Sequence, residues 1–411
     1  MRGTRPCSHT HLAATGDRGV GRGVFDSLPR GVDLYEYQGK DLFRRVGIPV
    51  SDGRLATTPG EARQAAEVLG GQVVVKAQVL TGGRGKAGGI KLAANAHEAE
   101  ERAKEILGLD IRGHVVRKLW VEKASDIAKE YYLSLTFDRS AKRALYMFTT
   151  QGGVDIEQVA EESPDALVQL RVDPLEGFHP WQARRLVYGA GVTDPSEQKQ
   201  IASIVGRLHE AFVTFDAMLC EINPLIVTPA GEVKALDSKF TVDDNALFRH
   251  PDVAEMRDRD AADPLEALAR EKHVTYVKLD GEVGVLGNGA GLTMSTVDVV
   301  TFAGGRPANF CDLGGGGDAQ GVVDALSVIT QDPQVRAIFF NIFGGITRCD
   351  EVARGILQAL EEMSLELPIV VRLDGTNADE GRSILAEAAP SNLRVSPTML
   401  EAAKLAVELA A

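Results

Sequence analysis

The segment from Val73 to Ala93 combines a lysine inside an apolar run with a loop rich in glycine and basic residues. Lys76 stands within VVVKAQV, and positions 82–89 hold five glycines together with Arg84 and Lys86. Glycines let backbone N–H groups approach an anion, and a buried lysine is costly without a negatively charged partner. The pattern predicts a phosphate-binding loop with Lys76 facing an anion; the alternative is a flexible basic hairpin without a ligand.

The glycine loop differs from the two best-known phosphate motifs. In a Walker A loop, GK is followed by Ser or Thr, but here Ala87 follows, and Leu80 stands where the first glycine is needed. The stretch from Gly83 to Gly88 fits GxGxxG formally. A Rossmann motif opens a helix, however, whereas IKLA, which follows here, alternates like a strand. The loop is therefore predicted to cap a β-hairpin.

A second hairpin carries candidate metal ligands. Two strand-like segments, 219–228 and 232–240, flank the turn sequence PAG. A turn centred on Ala230 places Asn223 opposite Asp237. An amide oxygen facing a carboxylate suits Mg²⁺, which prefers oxygen ligands. Asn and Asp are also common near turns, so a purely structural role stays open.

The same register brings a further carboxylate to this hairpin. Glu221 lies opposite Lys239, and the two-residue period puts both on the face that carries Asn223 and Asp237. Glu221 is thus predicted to lie within reach of a metal-bound phosphate.

Three glycine-rich loops follow strand-like segments in the C-terminal half, at 288–291, 314–317 and 344–347. Open parallel sheets bind ligands at the carboxyl ends of their strands. The third loop also opens a helix, with Thr347 and Asp350 spaced like a capping box, and such a helix N-terminus can hold an anion. Helix capping alone is the competing interpretation.

Histidine is informative by its placement. None of the eight histidines stands in a glycine loop at a strand end: they are His9, His11, His97, His114, His179, His209, His250 and His273. The sequence therefore offers no obvious phosphoryl-accepting histidine of its own.

The elements that position these residues can be read from periodicity. Helices are predicted over 36–47, 58–70 and 97–108, where apolar residues recur at helical spacing. Three strand-like stretches follow, KLWVEKA, KEYYLSLTFD and RALYMFTT, and are predicted to form one antiparallel meander. From about residue 275, strands alternate with helices, which indicates a parallel sheet. The polar stretch at about 243–270 is the predicted junction.

Length and composition limit the number of domains, the possible partners and the cysteine chemistry. The 411 residues suit two or three domains, and the apolar runs are too short to span a bilayer. A formal charge of −13 disfavours nucleic acid and anionic membranes as partners. The cysteines, at positions 7, 220, 311 and 349, form no CxxC pair, so no zinc site or disulfide framework is indicated.

The first 32 residues differ from the rest. They are rich in Arg and Gly and lack the apolar core of a secretory signal. A mitochondrial presequence fits in part, but the glycines oppose an amphipathic helix. Residues 1–32 are therefore predicted to be a disordered extension.

Taken together, these motifs resemble the β subunits of succinyl-CoA synthetases, and the likeness runs from Asp33 onwards in matching order. The stretches that carry it are LYEYQGKDLF, VKAQVLTGGRGKAGG, VEKASDIAKEYY, QGGVDIEQVAEE, EINPL, DDNALFRHPD, GNGAGLTMST, NIFGGITRCD and VVRLDG. Their wording is closest to bacterial forms. The resemblance implies an ATP-grasp fold over 33–260 and a flavodoxin-like CoA-ligase domain, a doubly wound parallel sheet, over 275–411.

The resemblance also implies roles for individual residues. The nucleotide contacts would be Lys76, Gly83, Arg84, Gly85, Glu122, Ser125 and Glu130. Asn223 and Asp237 would bind Mg²⁺, and Glu221 would be the catalytic residue that contacts a phosphohistidine. The carboxylate substrate would face Asn288, Gly345, Ile346 and Thr347. The histidine and the CoA site would belong to an α subunit, which accounts for the histidine pattern.

The implied reaction converts ATP, succinate and CoA to ADP, phosphate and succinyl-CoA through succinyl phosphate, in the cytoplasm rather than the mitochondrial matrix. GTP remains possible as the nucleotide, because a residue near Ser51 differs between ATP-using and GTP-using members and Ser matches neither usual choice. The close alternative is a malate–CoA ligase β subunit. A standalone ATP-grasp ligase and a regulatory nucleotide-binding module are the other classes that we considered.

Overall fold

The structure is a computed structural model that describes residues 31–258, 263–314 and 318–411. The predicted N-terminal extension lies outside the described residues apart from Gly31 and Val32, and Val32 opens the first strand. The described chain divides into two compact units between Asp263 and Pro264.

The N-terminal unit mixes helices with antiparallel sheets. Its elements are β1 (Val32–Leu34), α1 (Glu36–Arg45), β2 (Gly53–Ala56), α2 (Pro59–Leu69), β3 (Val73–Gln78), β4 (Ile90–Ala93), α3 (Ala96–Ile106), β5 (Asp110–Ile111), β6 (His114–Val115), β7 (Lys118–Lys123), β8 (Lys129–Asp138), β9 (Arg143–Thr149), α4 (Ile156–Glu162), β10 (Val168–Val172), α5 (Pro180–Gly189), α6 (Pro195–Thr214), β11 (Ala217–Val227), β12 (Val233–Ala235), β13 (Lys239–Val242) and α7 (Pro251–Glu255).

Two main sheets organise this unit. The smaller has the order β2-β7-β3-β4, and its core includes buried residues of α2 and α3. The larger has the order β1-β13-β11-β8-β9-β10, with β12 paired to β11, and its core includes the buried face of α6. The prediction of a three-stranded meander is therefore wrong for one of its strands. Although β8 and β9 pair, β7 belongs to the smaller sheet between β2 and β3.

Local chemistry explains the predicted helices. α2 begins as expected, because Thr58 accepts a hydrogen bond from the Glu61 N–H and Pro59 occupies the first turn. α1 ends just before Gly47, whose φ of 79° is in the left-handed region that glycine tolerates. The glycine loop caps the antiparallel pair β3–β4, as predicted.

The hairpin that carries the candidate metal ligands has the predicted register with one interruption. Glu221 pairs with Lys239, and Leu225 pairs with Ala235 in the same register. The returning strand is broken between β12 and β13, and Asp237 lies in that break. A carboxylate outside the hydrogen-bonding ladder is free to turn towards a ligand or a neighbouring side chain.

The C-terminal unit is built from alternating strands and helices. Its elements are α8 (Pro264–Glu271), β14 (Thr275–Lys278), β15 (Val283–Gly287), α9 (Ala290–Phe302), β16 (Asn309–Asp312), α10 (Ala319–Ile329), β17 (Ala337–Gly344), α11 (Cys349–Met363), β18 (Ile369–Gly375), α12 (Ala378–Ala388), β19 (Leu393–Val395) and α13 (Met399–Ala410).

The sheet of the C-terminal unit has the order β14-β16-β15-β17-β18-β19. All neighbours are parallel except β14, which runs antiparallel to β16. One apolar cluster joins the sheet to α10 and α11 and another joins it to α9 and α13, which is the doubly wound arrangement predicted from the sequence. The stretch YVKLDGEVGVLG contributes to two strands, β14 and β15. Within the described ranges, no helix is long and apolar enough to span a membrane.

Candidate active site

A group of ionic side chains, buried except for the partly exposed Asp237, lies between the first helix, the smaller sheet and the hairpin that carries the candidate metal ligands in the N-terminal unit. We refer to it as the charge cluster. It consists of Glu36, Lys40, Lys76, Arg84, Glu122 and Asp237.

Lys76 lies at the centre of the charge cluster. Its ammonium group donates hydrogen bonds to Glu36 Oε1 at 2.9 Å, to Glu122 Oε1 at 3.3 Å and to the Leu236 carbonyl at 2.8 Å. Burial lowers the pKa of Lys76, but Glu36, Glu122 and Asp237 more than offset this and raise it above its ordinary value. The lysine is therefore a fixed cation, and the anions that it faces in the free chain are carboxylates.

Arg84 turns inward from an otherwise exposed loop. Gly83 and Gly85 on either side are exposed, whereas Arg84 is buried. Its Nη1 donates to Glu36 Oε2 at 2.6 Å, and its Nη2 donates to both carboxylate oxygens of Asp237, at 2.8 and 2.7 Å. The glycine loop thus places the Arg84 guanidinium against Glu36, the carboxylate that also accepts a hydrogen bond from Lys76.

Gly83 is needed for this inward turn. Its φ of 82° lies in the left-handed region, and a β-carbon there would lie 3.1 Å from the Arg112 guanidinium. At the tip of the loop, Lys86 donates to Asp155 at 2.8 Å. Both side chains of this pair are largely exposed, so we attribute little stability to it.

Glu36 and Lys40 are members of the charge cluster that the sequence analysis did not single out. Burial raises the pKa of Glu36, but Lys40, Lys76 and Arg84 hold it well below its usual range. Lys40 donates to Glu36 at 2.7 Å and contacts Glu122 on its other side. One signal was available: positions 36 and 40 share a helical face with the fully buried Phe43, so charged residues stand on the apolar face.

The three remaining side chains among the predicted nucleotide contacts are Glu122, Ser125 and Glu130, and each has further neighbours. Glu122 also accepts a hydrogen bond from the Trp120 indole at 2.8 Å. Ser125 Oγ lies 3.2 Å from Ser51 Oγ. The Glu130 carboxylate lies beside Gly153, where a β-carbon would come within 2.7 Å of Oε2. Gly153 has a φ of 71°, in the left-handed region that favours glycine, and a larger residue there would also displace the end of this side chain.

Asn223 and Asp237 supply donor atoms that fit Mg²⁺. Asn223 Oδ1 accepts from the Gly153 N–H at 2.9 Å, and its amide group donates to the Val154 carbonyl at 3.0 Å. The second lone pair of Oδ1 and the partly exposed Asp237 carboxylate are oxygen donors of the preferred kind. Among the described residues, no group of three or more His, Cys, Asp or Glu side chains could hold a metal. Phosphate and water oxygens would have to complete the coordination.

Glu221 lies on the same hairpin in a mostly buried position. Its Oε2 accepts a hydrogen bond from the Tyr132 hydroxyl at 3.2 Å. Burial raises the pKa of Glu221, and Asp237 and Glu157 add to this, while Lys239 and the Tyr132 hydrogen bond oppose it. A carboxylate in this setting gains from an approaching cation such as an imidazolium.

In the C-terminal unit, Asn288 connects two of the predicted loops. Its amide nitrogen donates to the Phe343 carbonyl at 2.8 Å, and its Oδ1 accepts from the Phe343 N–H at 2.8 Å. Asp312 adds a further tie, because it accepts from the N–H groups of Gly289 and Gly314. Of the second loop, residues 315–317 lie outside the described part of the chain.

The residues of the loop after β17 differ in their exposure and hydrogen bonding. Ile346 is 86% exposed, whereas Thr347 is buried and donates its hydroxyl to the Gly314 carbonyl at 3.3 Å. The predicted capping box is wrong, because α11 begins at Cys349 and Arg348 occupies the N-cap. Asp350 is instead hydrogen-bonded by Arg348, Arg354 and Asn377, and these partners outweigh its burial and lower its pKa.

The comparisons with known proteins agree with this two-unit arrangement. Family models match residues 33–227 as an ATP-grasp domain and residues 286–407 as a CoA-ligase. A solved structure of ATP citrate lyase from Methanothrix soehngenii, in complex with citrate and coenzyme A, matches with a TM-score of 0.70. It covers 92% of this chain and all of that chain at 18% identity, so it supports the fold alone. By its fold and its family-model matches, the chain is an ATP-grasp CoA ligase.

Curated relatives define the family more closely. The chain is 58% identical over 379 residues to the ADP-forming succinate–CoA ligase subunit β of Rubrobacter xylanophilus, covering 92% of this chain and 99% of that relative. The corresponding protein of a Roseiflexus species is 51% identical, with the same shares covered. A GDP-forming succinate–CoA ligase subunit β of Thermus thermophilus is 49% identical, also over 92% of this chain and 99% of that protein. The chain belongs to the family of succinate–CoA ligase β subunits.

Proposed function

We propose that this chain is the β subunit of a succinate–CoA ligase that converts ATP, succinate and CoA to ADP, phosphate and succinyl-CoA. Relatives named for this activity, 58% and 51% identical over nearly their full length, support the proposal. The observation that carries the chemistry is the pair of buried cations, Lys76 and Arg84, beside the oxygen donors of the hairpin. Phosphoryl transfer requires such positioning and charge neutralisation.

The nucleotide would bind across the glycine loop and the smaller sheet. Its proposed contacts are Lys76, Gly83, Arg84, Gly85, Glu122, Ser125 and Glu130. Lys76 and Arg84 would neutralise phosphate charge. Arg84 can do so without leaving Glu36, because only its Nη2 is engaged by Asp237. We propose ATP as the nucleotide, since the two relatives with the higher identities above are named ADP-forming; GTP is the variant to test.

Magnesium would be held by Asp237 and Asn223 together with phosphate and water oxygens. When bound, it supplies neutralising charge at the phosphates. The protein side of this step is an exchange at Asp237, whose carboxylate would turn from Arg84 towards the metal and leave Nη2 for a phosphate oxygen. Asn223 would keep its hydrogen bonds to the backbone at 153 and 154 while presenting its remaining lone pair.

Glu221 would orient a histidine of the α subunit and stabilise its positive charge as phosphate leaves. In the reaction towards succinyl-CoA, the histidine takes the phosphoryl group from ATP and passes it to succinate, which gives succinyl phosphate; CoA then displaces phosphate. The carboxylate substrate would face Asn288, Gly345, Ile346 and Thr347. The Asn288–Phe343 hydrogen bonds would keep these loops in place before substrate arrives.

The proposed partner is an α subunit that carries the phosphohistidine and the CoA site, and the proposed location is the cytoplasm, as for bacterial members. The succinate names of the relatives favour this assignment over a malate–CoA ligase. Co-expression with the α partner, followed by a CoA-ligase assay with succinate or malate and with ATP or GTP, tests the proposal. Turnover of malate but not succinate would overturn the substrate assignment, and full activity of the isolated chain would favour a standalone ligase.

A further inference from the structure

The first helix, α1, contributes two ionic side chains to the charge cluster. Glu36 and Lys40 stand one turn apart on α1, and their side chains are 1% and 0% exposed. We propose that Glu36 and Lys40 are positioning residues that hold Lys76 and Arg84 in the geometry needed to receive the nucleotide phosphates. This inference rests on the proposed nucleotide site, and it assigns a role to a helix that contributes none of the proposed nucleotide contacts.

The two carboxylate oxygens of Glu36 accept hydrogen bonds from different cations. Oε1 accepts from Lys76 at 2.9 Å and from Lys40 at 2.7 Å, and Oε2 accepts from Arg84 at 2.6 Å. One carboxylate therefore fixes the distance between an ammonium on a strand and a guanidinium on a loop. Lysine and arginine side chains are otherwise rich in rotamers, so a shared anchor removes freedom before the ligand arrives.

Lys40 supports the anchor from the protein side. It bonds Glu36 and also contacts Glu122, whose other oxygen receives Lys76. Two buried carboxylates this close would repel each other without a cation between them. Lys40 thus places a cation between Glu36 and Glu122 while these carboxylates hold Lys76 from two sides.

The charge balance makes the proposal distinct from a simple electrostatic effect. The charge cluster pairs three carboxylates with three cations. Replacing Glu36 by Gln leaves one excess positive charge, so attraction alone predicts tighter binding of a polyanionic nucleotide. Loss of positioning predicts the opposite, because one end of the amide would present N–H groups to cations.

The same substitution should change the pH dependence of nucleotide binding. Burial lowers the pKa of Lys76, and Glu36 is the first carboxylate that counteracts it. Without that charge the pKa falls. The Lys76 ammonium then loses its proton at a lower pH than in the parent. As the pH is raised, the nucleotide affinity of the variant should therefore begin to fall at a lower pH than that of the parent. A role limited to packing would leave the shape of the profile unchanged.

The test uses the complex of the full chain with its α partner and a non-hydrolysable ATP analogue with Mg²⁺, titrated by calorimetry from pH 7 to 9.5. Glu36→Gln is expected to weaken binding by about 10- to 100-fold, the range for losing a buried charge-assisted hydrogen bond. It should also weaken binding further as the pH rises. Lys40→Met, which leaves an excess negative charge, is expected to weaken binding as well. Parent-like or tighter binding by Glu36→Gln would overturn the proposal.

Two further variants keep the result decisive. Glu36→Asp retains the charge but is too short to hold both cations at their present distances. It should keep the pH profile and lose several-fold affinity; parent affinity in this variant also counts against positioning. Asp332→Asn is the matched control, because it neutralises a buried carboxylate paired with Lys278 in the other unit. Failure of the parent complex to bind the analogue would instead refute the nucleotide site itself.

Discussion

At the scale of single residues, Asp237 has two competing partners. In the free chain both of its oxygens accept hydrogen bonds from Arg84, whereas the proposed reaction needs the carboxylate for Mg²⁺. We expect Asp237→Ala to lower affinity for the magnesium–nucleotide complex at least about 10-fold, as loss of a direct metal ligand requires. Affinity for nucleotide without metal should be retained or rise, because Arg84 is released.

Calorimetry with Mg²⁺ and with a chelator measures both affinities of Asp237→Ala. The side chain is partly exposed and outside the strand ladder, so the fold should persist with an unchanged circular dichroism spectrum. If the variant keeps the parent's magnesium dependence, Asp237 is not a metal ligand.

Glu221 combines a proposed catalytic role with a cost in stability. Because burial raises its pKa, the folded state favours the protonated form. Its contribution to stability is therefore fullest below the ordinary carboxyl pKa and is lost as the pH rises through the raised value. Glu221→Gln mimics the neutral form, so at neutral pH it should be at least as stable as the parent. Phosphorylation of the α-subunit histidine should slow by about 100-fold or more, the scale for a positioned electrostatic group.

Radiolabel transfer from ATP to the α chain measures the effect of Glu221→Gln, and thermal unfolding at pH 5 and pH 8 measures its stability. Glu232→Gln, on the exposed turn of the same hairpin, is the control and should match the parent in both. Parent-rate labelling of Glu221→Gln would leave Glu221 a strand residue without a catalytic role.

The charge cluster shows how far residue types alone could lead. A lysine inside an apolar strand predicted an anion beside it, and the structure supplies two carboxylates at Lys76. The sequence could not identify them, because Glu36 is 40 residues away and Glu122 is 46 residues away. Hairpin register, in contrast, follows from the turn alone, so the pairing of Glu221 with Lys239 was predictable.

At the scale of elements, strand existence was easier to predict than strand partnership. β7 has an apolar, buried centre like β8 and lies just before it, but it pairs with β2 and β3. An apolar run indicates a buried strand and carries no information on which strands are its neighbours. The capping box failed for a related reason. The Thr347 hydroxyl bonds the Gly314 carbonyl from a distant loop, and a tertiary contact overrides the local motif.

The ends of β17 and β18 give an element-scale prediction. Gly375 has a φ of 86°, and a β-carbon there would lie 2.2 Å from the Gly344 carbonyl oxygen. Gly375→Ala must therefore push apart the two strand ends that lead into the proposed substrate loop. We expect a loss of about 2–4 kcal/mol in the free energy of unfolding, from backbone strain plus overpacking. Ligase turnover should fall while nucleotide binding persists.

Denaturant unfolding and the CoA-ligase assay measure both effects. Gly304→Ala is the matched control: its φ is 94°, but its β-carbon would meet nothing within 4 Å. It should cost only about 1 kcal/mol, the penalty for a non-glycine residue in this conformation. Equal losses in the two variants would show that the contact with Gly344 is unimportant.

At the scale of the whole molecule, the net charge of the chain does not indicate which ligands its charge cluster would bind. The chain carries a formal charge of −13, yet its proposed substrates are anions. Lys76 and Arg84 resolve this locally, because they are buried beside carboxylates that raise their pKa values. The net charge disfavoured nucleic acid as a partner, but only the placement of individual residues indicates where phosphate would bind.

The last prediction concerns what this chain cannot do alone. Phosphoryl transfer by this family's implied route needs a histidine, and two of the described histidines are already engaged: His209 with the Tyr146 hydroxyl and His250 with Asp216. Burial further lowers the pKa of His209, which disfavours its imidazolium form. We expect the purified chain to bind nucleotide but to form no succinyl-CoA, and addition of the α partner to restore turnover. With labelled ATP, the label should appear on the α chain and disappear when its histidine is replaced by Asn. Label on this chain, or turnover without the partner, would mean that the acceptor lies here and that the division of labour between the subunits is wrong.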